Sequence, residues 1–158
     1  MASPTRAVLI AVTTLAVGCA TVAPPRDRAS DTGCTASLRW AEASPLEYLN
    51  GLQVLGACQR GFEHWAHIVD GQRSGWVREG DLQALVALVD SRLPCAHTVS
   101  DISSWMPQKP SFVGQEALFL IEAYRQNTFP PTSNSDGFYR NRDEILAWWH
   151  SRKSSRAP

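Results

Sequence analysis

The chain of 158 residues lacks an excess of charge of either sign, since fifteen Lys and Arg balance fifteen Asp and Glu. Nucleic-acid binders usually carry a basic excess or a basic stripe, so neutrality argues against a nucleic-acid partner. The sequence has no unbroken apolar run of about 20 residues, the length a bilayer-spanning helix needs. It also lacks a phosphate loop, a dinucleotide-binding glycine fingerprint, a Cys-x-x-Cys pair and a Gly-x-Ser-x-Gly elbow. Those absences remove the sequence signals of nucleotide-dependent, thiol-redox and α/β-hydrolase chemistry. What is present is globular: 44% of residues are hydrophobic and 19% charged, without repeats of low complexity. A length near 150 favours one domain with one core.

The amino terminus reads as an address. Met1 to Arg6 carries one positive side chain, and Ala7 to Gly18 is a run of twelve uncharged, mostly apolar residues. A basic start, a short apolar run and small residues before a cut define a secretory signal. The run ends Leu15-Ala16-Val17-Gly18-Cys19. This resembles the lipobox of bacterial lipoproteins, with Ala16 at the position where Leu is most usual. The resemblance implies cleavage before Cys19, a diacylglycerol on its thiol and acylation of the new amino terminus. Several acyl chains on one residue make a stable anchor, each buried CH₂ contributing about 0.8 kcal/mol. Ala20, rather than Asp, follows the cysteine. In the family that implies export to the outer membrane, facing the periplasm. The alternative is ordinary cleavage near Gly18 or Ala20 and a secreted protein. Residues 1–18 are thus expected to be a signal peptide and 19–33 a lipidated cysteine and tether, the latter marked by Pro24-Pro25 and small polar residues. Residues 34–158 are expected to form a single domain.

The body shows helical periods. Ser44-Pro45-Leu46-Glu47 offers an N-cap, a first-position proline and a capping-box carboxylate. Leu46, Leu49, Leu52 and Leu55 follow, with Gly56 as a stop. A shorter helix, Ala36 to Ala43, is expected before it. Cys58, Phe62, Trp65 and Val69 step by four, three and four, which predicts another helix, with a strand as the minority alternative. Glu79 to Arg92 has the stripe Leu82, Leu85, Val86 and Val89, and Pro94 stops it. Cys95, Val99 and Ile102 suggest a short helix. Val113 to Arg125 is apolar nearly all round and should be the most buried helix. Asn127 to Arg140 reads as a polar loop, and Arg142 to Lys153 as a final helix capped by Asn141 and Glu144. The expectation is an all-α fold of short antiparallel helices, packed as a HEAT-like or irregular array. The paired stretches WVREGDLQALVALVDSRLPCA and FVGQEALFLIEAYRQNTFPP are similar to a group of bacterial, often lipid-anchored, proteins with a helical-repeat look. That resemblance brings no known activity.

With Cys19 assigned to lipid, Cys34, Cys58 and Cys95 remain. Thiols outside the cytoplasm tend to pair, and Cys58 with Cys95 is the favoured bridge because both fall on apolar helix faces. The alternative is that all three are buried thiols. His64 and His67, with Glu63, could supply metal ligands, but they lack the His-Glu-x-x-His spacing, and no metal or other cofactor is expected. His97, Ser100 and Asp101 contain the residue types of a catalytic triad, yet neighbours on one helix rarely reach the geometry. Among the acids Glu116, at the edge of the apolar run, is the one to examine for burial. Glu122, Glu79 and Asp81 complete the candidate carboxylates for glycan cleavage, which needs two facing a cleft. Of six Trp, Trp65, Trp148 and Trp149 fall on apolar faces, whereas Trp40, Trp76 and Trp105 are candidates for exposure. These observations point to a non-enzymatic, lipid-anchored module that meets the membrane through its lipid and engages another envelope protein, in the manner of an immunity or inhibitor protein. The alternative is a peptidoglycan-acting enzyme or a carbohydrate-binding lipoprotein.

Overall fold

The computed structural model describes residues 40–58, 65–68 and 71–155. The expected signal peptide, Cys19, the tether, Cys34 and the first half of the helix expected at Ala36–Ala43 lie outside them. A 3-10 turn at Trp40–Glu42 leads into α1 (Pro45–Cys58), followed by β1 (Trp65–Ile68) and α2 (Glu79–Leu88). Then come β2 (Pro94–Cys95), β3 (His97–Ser100), β4 (Ser111–Phe112) and α3 (Val113–Gln126). A second 3-10 turn at Phe138–Asn141 precedes α4 (Arg142–Ser154).

The start of α1 follows its sequence signal closely. The Ser44 amide and hydroxyl both donate to Glu47 Oε2 at 2.8 Å, and the Glu47 amide donates back to Ser44 Oγ at 3.3 Å. This is the reciprocal capping box, which satisfies amides that the first turn leaves without partners. Hydrogen bonds to Ser44 also hold the exposed Glu47 carboxyl below its usual range. Gly56 does not end the helix. A Cβ there would lie 2.5 Å from Cys95 Cα, so the glycine lets α1 press against the β2 backbone. The Ala96 amide donates to the Leu52 carbonyl at 2.9 Å across the same junction.

The all-α, HEAT-like expectation is overturned. The helix expected through Trp65 is replaced by β1, and the helix expected after Cys95 by β2 and β3. β1 and β3 pair in parallel, Trp65 opposite His97 and Ile68 opposite Ser100. β2 and β4 form a two-residue antiparallel pair. The free edge of β3 is met by residues 133–135: Ser100 N–H donates to Ser133 C=O at 2.8 Å and Ser135 N–H to Thr98 C=O at 3.0 Å. β3 is therefore covered on both edges. Its residues His97, Thr98 and Val99 are buried in succession, which hides the period-two signal a half-exposed strand would show.

α3 is the axis of the molecule. Every residue from Val113 to Ile121 is buried, as its apolar run predicts. It starts hard against the end of α2, where the Gly114 amide donates to the Ser91 carbonyl at 3.0 Å. It ends at Asn127, which adopts the left-handed conformation at φ 53°. α4 covers α3 with Ile145 buried, and the guanidinium groups of Arg125 and Arg152 lie 5.4 Å and 5.8 Å from the Trp148 ring. The Asn141 side chain makes no cap bond at the start of α4. A second packing centre is aromatic. Trp40, Tyr48, Trp76 and Phe129 pack with ring centroids 4.2 to 5.6 Å apart, mostly edge to face.

Candidate functional site

The chemistry of this body is concentrated in its interior. Glu116, the acid singled out by its place at the edge of the apolar run, is 1% exposed. It projects from the first turn of α3 toward β3, β4 and the 133–135 segment. Its Oε1 accepts the hydroxyls of Ser111 and Ser135, each at 2.5 Å. Its Oε2 accepts the Thr98 amide at 3.2 Å. Tyr48 on α1 reaches in from behind, its hydroxyl 2.9 Å from Thr98 Oγ1. Ser135 Oγ in turn accepts from the Thr98 amide at 3.1 Å. Three donors thus meet this buried carboxyl, so that both of its oxygens have partners.

His97 stands beside this centre, 3% exposed, with Nδ1 3.6 Å from Glu116 Oε1. Its Nε2 lies 3.0 Å from the Lys109 carbonyl, which can only accept. The hydrogen is therefore on Nε2, and Nδ1 faces Ser135 Oγ at 3.2 Å and the Gln115 amide nitrogen at 3.4 Å. Gln115 also donates to Ser111 Oγ at 3.0 Å, which closes the cluster.

Burial is the dominant influence on every acid here. It pushes Glu116 above the usual carboxylate range, and the hydrogen bonds from Ser111, Ser135 and Thr98 pull it back in part. It raises the Tyr48 hydroxyl and the Cys95 thiol as well, and the nearby Glu116 adds to both. Cys95 is a buried thiol held in its protonated form, which makes it unreactive. The Cys58 side chain lies outside the described residues, so the favoured Cys58–Cys95 bridge falls there too.

The residue types are those of a hydrolase, but the arrangement is not. Glu116 and Ser135 both face Nδ1 of His97, whereas a triad places the acid on one ring nitrogen and the nucleophile on the other. Ser135 is fully buried, and no substrate path is lined by it among the described cavities. Ser100 and Asp101, the other triad residue types near His97 in sequence, do not join it. They lie at the end of β3, and Ser135, from a distant segment, takes the place next to the imidazole.

Among the described residues, two cavities open elsewhere. One of about 330 Å³ lies between the starts of α1 and α2, lined by Ser44, Trp76, Arg78 and Asp81 among others. The second, about 250 Å³ and mostly apolar, runs between Leu46, Leu49, Leu88, Leu93 and Val113. Neither contains Glu116 or His97. Glu79 and Asp81 serve the start of α2, where the Arg78 amide donates to Asp81 at 2.8 Å. Glu122 pairs with Arg125 at 2.9 Å. Among the described residues no group of three His, Cys, Asp or Glu is placed to hold a metal. His64 and Glu63 lie outside those residues, as does the side chain of His67 in β1.

The tryptophans divide differently from expectation. Trp40 is buried at 2%, and Trp76 is half-buried with its Nε1 donating to the Ala43 carbonyl at 3.0 Å. Trp148 and Trp149 pack part-buried against the core, as their positions imply. Trp105 alone of its group is exposed, at 56%, and Ile102 beside it is 81% exposed. Both sit on the 101–110 loop. Trp105 Nε1 donates to Asp136 at 3.1 Å and the Asn134 amide donates to Ser103 Oγ at 3.3 Å, so this loop is laced to the 131–137 loop.

Comparisons of the chain with protein-family models, with curated proteins and with solved structures return no match. Among the described residues no helix is long and apolar enough to cross a membrane.

Proposed function

We propose that this chain is a lipid-anchored envelope protein whose folded body acts by binding another protein rather than by catalysis. The anchor rests on the Leu15–Cys19 motif alone. The binding role rests on one observation: the exposed side chains Ile102 and Trp105 are both carried by a loop held in place by hydrogen bonds. Large apolar side chains kept at the surface in a fixed loop favour a contact surface, and tryptophan is enriched where partners bind. The interior cluster supports the same reading, because its serines, histidine and glutamate are spent on one another and sealed from solvent.

Two measurements test the proposal. Membrane fractionation and intact-mass analysis of wild type and Cys19→Ala should show a lipidated, membrane-bound wild type and an unlipidated, released variant. A wild type that is soluble and carries no lipid overturns the anchor. A photocrosslinking residue placed at Ile102 or Trp105 in living cells should give a discrete protein adduct, and one at the exposed His150 on α4 should not. Equal labelling at all three positions, or retention on purified peptidoglycan instead, overturns the protein-binding role.

A further inference from the structure

Two surface loops hang from one buried acid–imidazole pair. Glu116 holds Ser135, and with it the 133–135 segment that bonds the edge of β3. It also holds Ser111, at the root of the 101–110 loop. His97 holds the same end of that loop through the Lys109 carbonyl. The exposed Ile102 and Trp105 lie on the same loop between β3 and Lys109, and the loop is laced to the 131–137 loop by Trp105–Asp136 and Asn134–Ser103. We propose that the Glu116–His97 pair is a protonation-controlled latch that fixes the face carrying Ile102 and Trp105.

The buried charge, rather than an unmet hydrogen bond, is why a proton matters. With Glu116 ionised, Ser111, Ser135 and Thr98 all donate to it, and Gln115 supplies His97 Nδ1. Every polar atom then has a partner, but the interior holds a full negative charge. One added proton removes that charge. It can rest on the carboxyl or on Nδ1, which lie 3.6 Å apart. The titratable groups that face Glu116 are Tyr48 from α1, Cys95 from β2 and His97 from β3. Tyr48 and Cys95 are held neutral, and ionising either would add a second negative charge. Lys109 approaches with its carbonyl.

Burial raises Glu116 above its ordinary range. A raised acid binds its proton more tightly in the folded than in the unfolded chain. Its contribution is whole below the unfolded value of about 4.3 and is lost as pH rises through the folded value. The latch is therefore tight when the pair holds the proton and loosens when the proton leaves. This inference does not depend on any partner, and it is tested on the purified protein alone.

Hydrogen exchange of peptides covering 97–110 and 131–138 should be followed against pH in wild type and Glu116→Gln, with α2 as internal reference. Comparing the two proteins at each pH cancels the intrinsic exchange rate. In wild type, protection of the two loops relative to α2 should fall with rising pH, by up to roughly tenfold per unit across the window between the unfolded and folded values. In Glu116→Gln, which cannot ionise, it should stay level. Infrared spectra of wild type should keep a protonated-carboxyl band above the ordinary carboxylate range, and the loops should loosen as that band disappears. If Glu116→Gln does not fold, the wild-type infrared and exchange series decides. Absence of the band, a loop protection that ignores its disappearance, or a Glu116→Gln profile that tracks wild type overturns the latch.

Discussion

Gly56 and Gly80 are both helical glycines, and they should respond to alanine in opposite directions. A Cβ at Gly56 meets the Cys95 backbone at 2.5 Å, and backbone cannot swing aside as a long side chain can. Gly56→Ala should therefore part α1 from β2 and cost about 1–3 kcal/mol, the usual penalty of overpacking. A Cβ at Gly80 meets nothing within 4 Å. Gly80→Ala should stabilise by about 0.5–1 kcal/mol through lower backbone entropy of the unfolded chain. Urea unfolding midpoints of the two variants check both signs. Sequence reading assigned Gly56 to a helix stop because glycine after an apolar stripe usually serves that way. Its true reason is a neighbour 39 positions on, Cys95, which no local pattern reports. Glu116 was legible because it sits at the edge of an apolar run. Its partners were not, since Thr98, Ser111 and Ser135 are ordinary loop-forming types until the fold gathers them.

Helices were legible where they carry their own start signals and a long stripe. α1, α2, α3 and α4 begin at or within one residue of the expected positions, because caps, prolines and the 3.6-residue period are local. The strands were not. β1 runs only four residues, and Cys58, Phe62, Trp65 and Val69 happen to fall at helical spacing. β1 also pairs with a strand that begins at His97, and such a contact leaves no trace in either segment alone. A strand buried on both sides, as β3 is, loses the alternation that would identify it. The caps give a matched pair of expectations. Ser44→Ala removes the hydroxyl half of the α1 capping box, leaving the backbone amide at 44 on Glu47, and should cost about 1 kcal/mol. Asn141→Ala should cost far less, because that side chain makes no cap bond on α4. Thermal or urea denaturation of the two, side by side, tests whether the hydrogen bonds rather than the residue types matter.

Across the whole molecule, the titrating groups predict the shape of the pH–stability curve. Tyr48 and Cys95 are both raised by burial, so each keeps its proton in the folded chain after the unfolded chain has lost it. Their contributions are whole below the unfolded values, about 8.5 for cysteine and about 10 for tyrosine, and are lost as pH rises beyond them. The protein should therefore lose stability steeply on the alkaline side, and Tyr48→Phe should flatten the tyrosine part of that slope. Glu47 acts with the opposite sign: its lowered value means that its cap weakens as pH falls through the acid range. A urea series across pH separates the arms. The single-domain expectation for residues 34–158 drew on length and composition, and those quantities carry no record of which layers pack on which.

The Glu116 cluster also bears on how the chain reaches its fold. Its members come from α1, β3, β4, α3 and the 133–135 segment, with hydrogen-bonded partners up to 50 residues apart in sequence. No subset of them is content by itself: a compact chain lacking Ser135 or Thr98 in place would leave a carboxyl or hydroxyl stranded in an apolar interior. Such a half-built centre costs free energy, whereas an apolar core tolerates many wrong packings almost equally well. The cluster thus acts as a proofreading step on collapse, widening the energy gap between the native arrangement and its competitors. The β1–β3 and β3–133–135 pairings stand or fall with it.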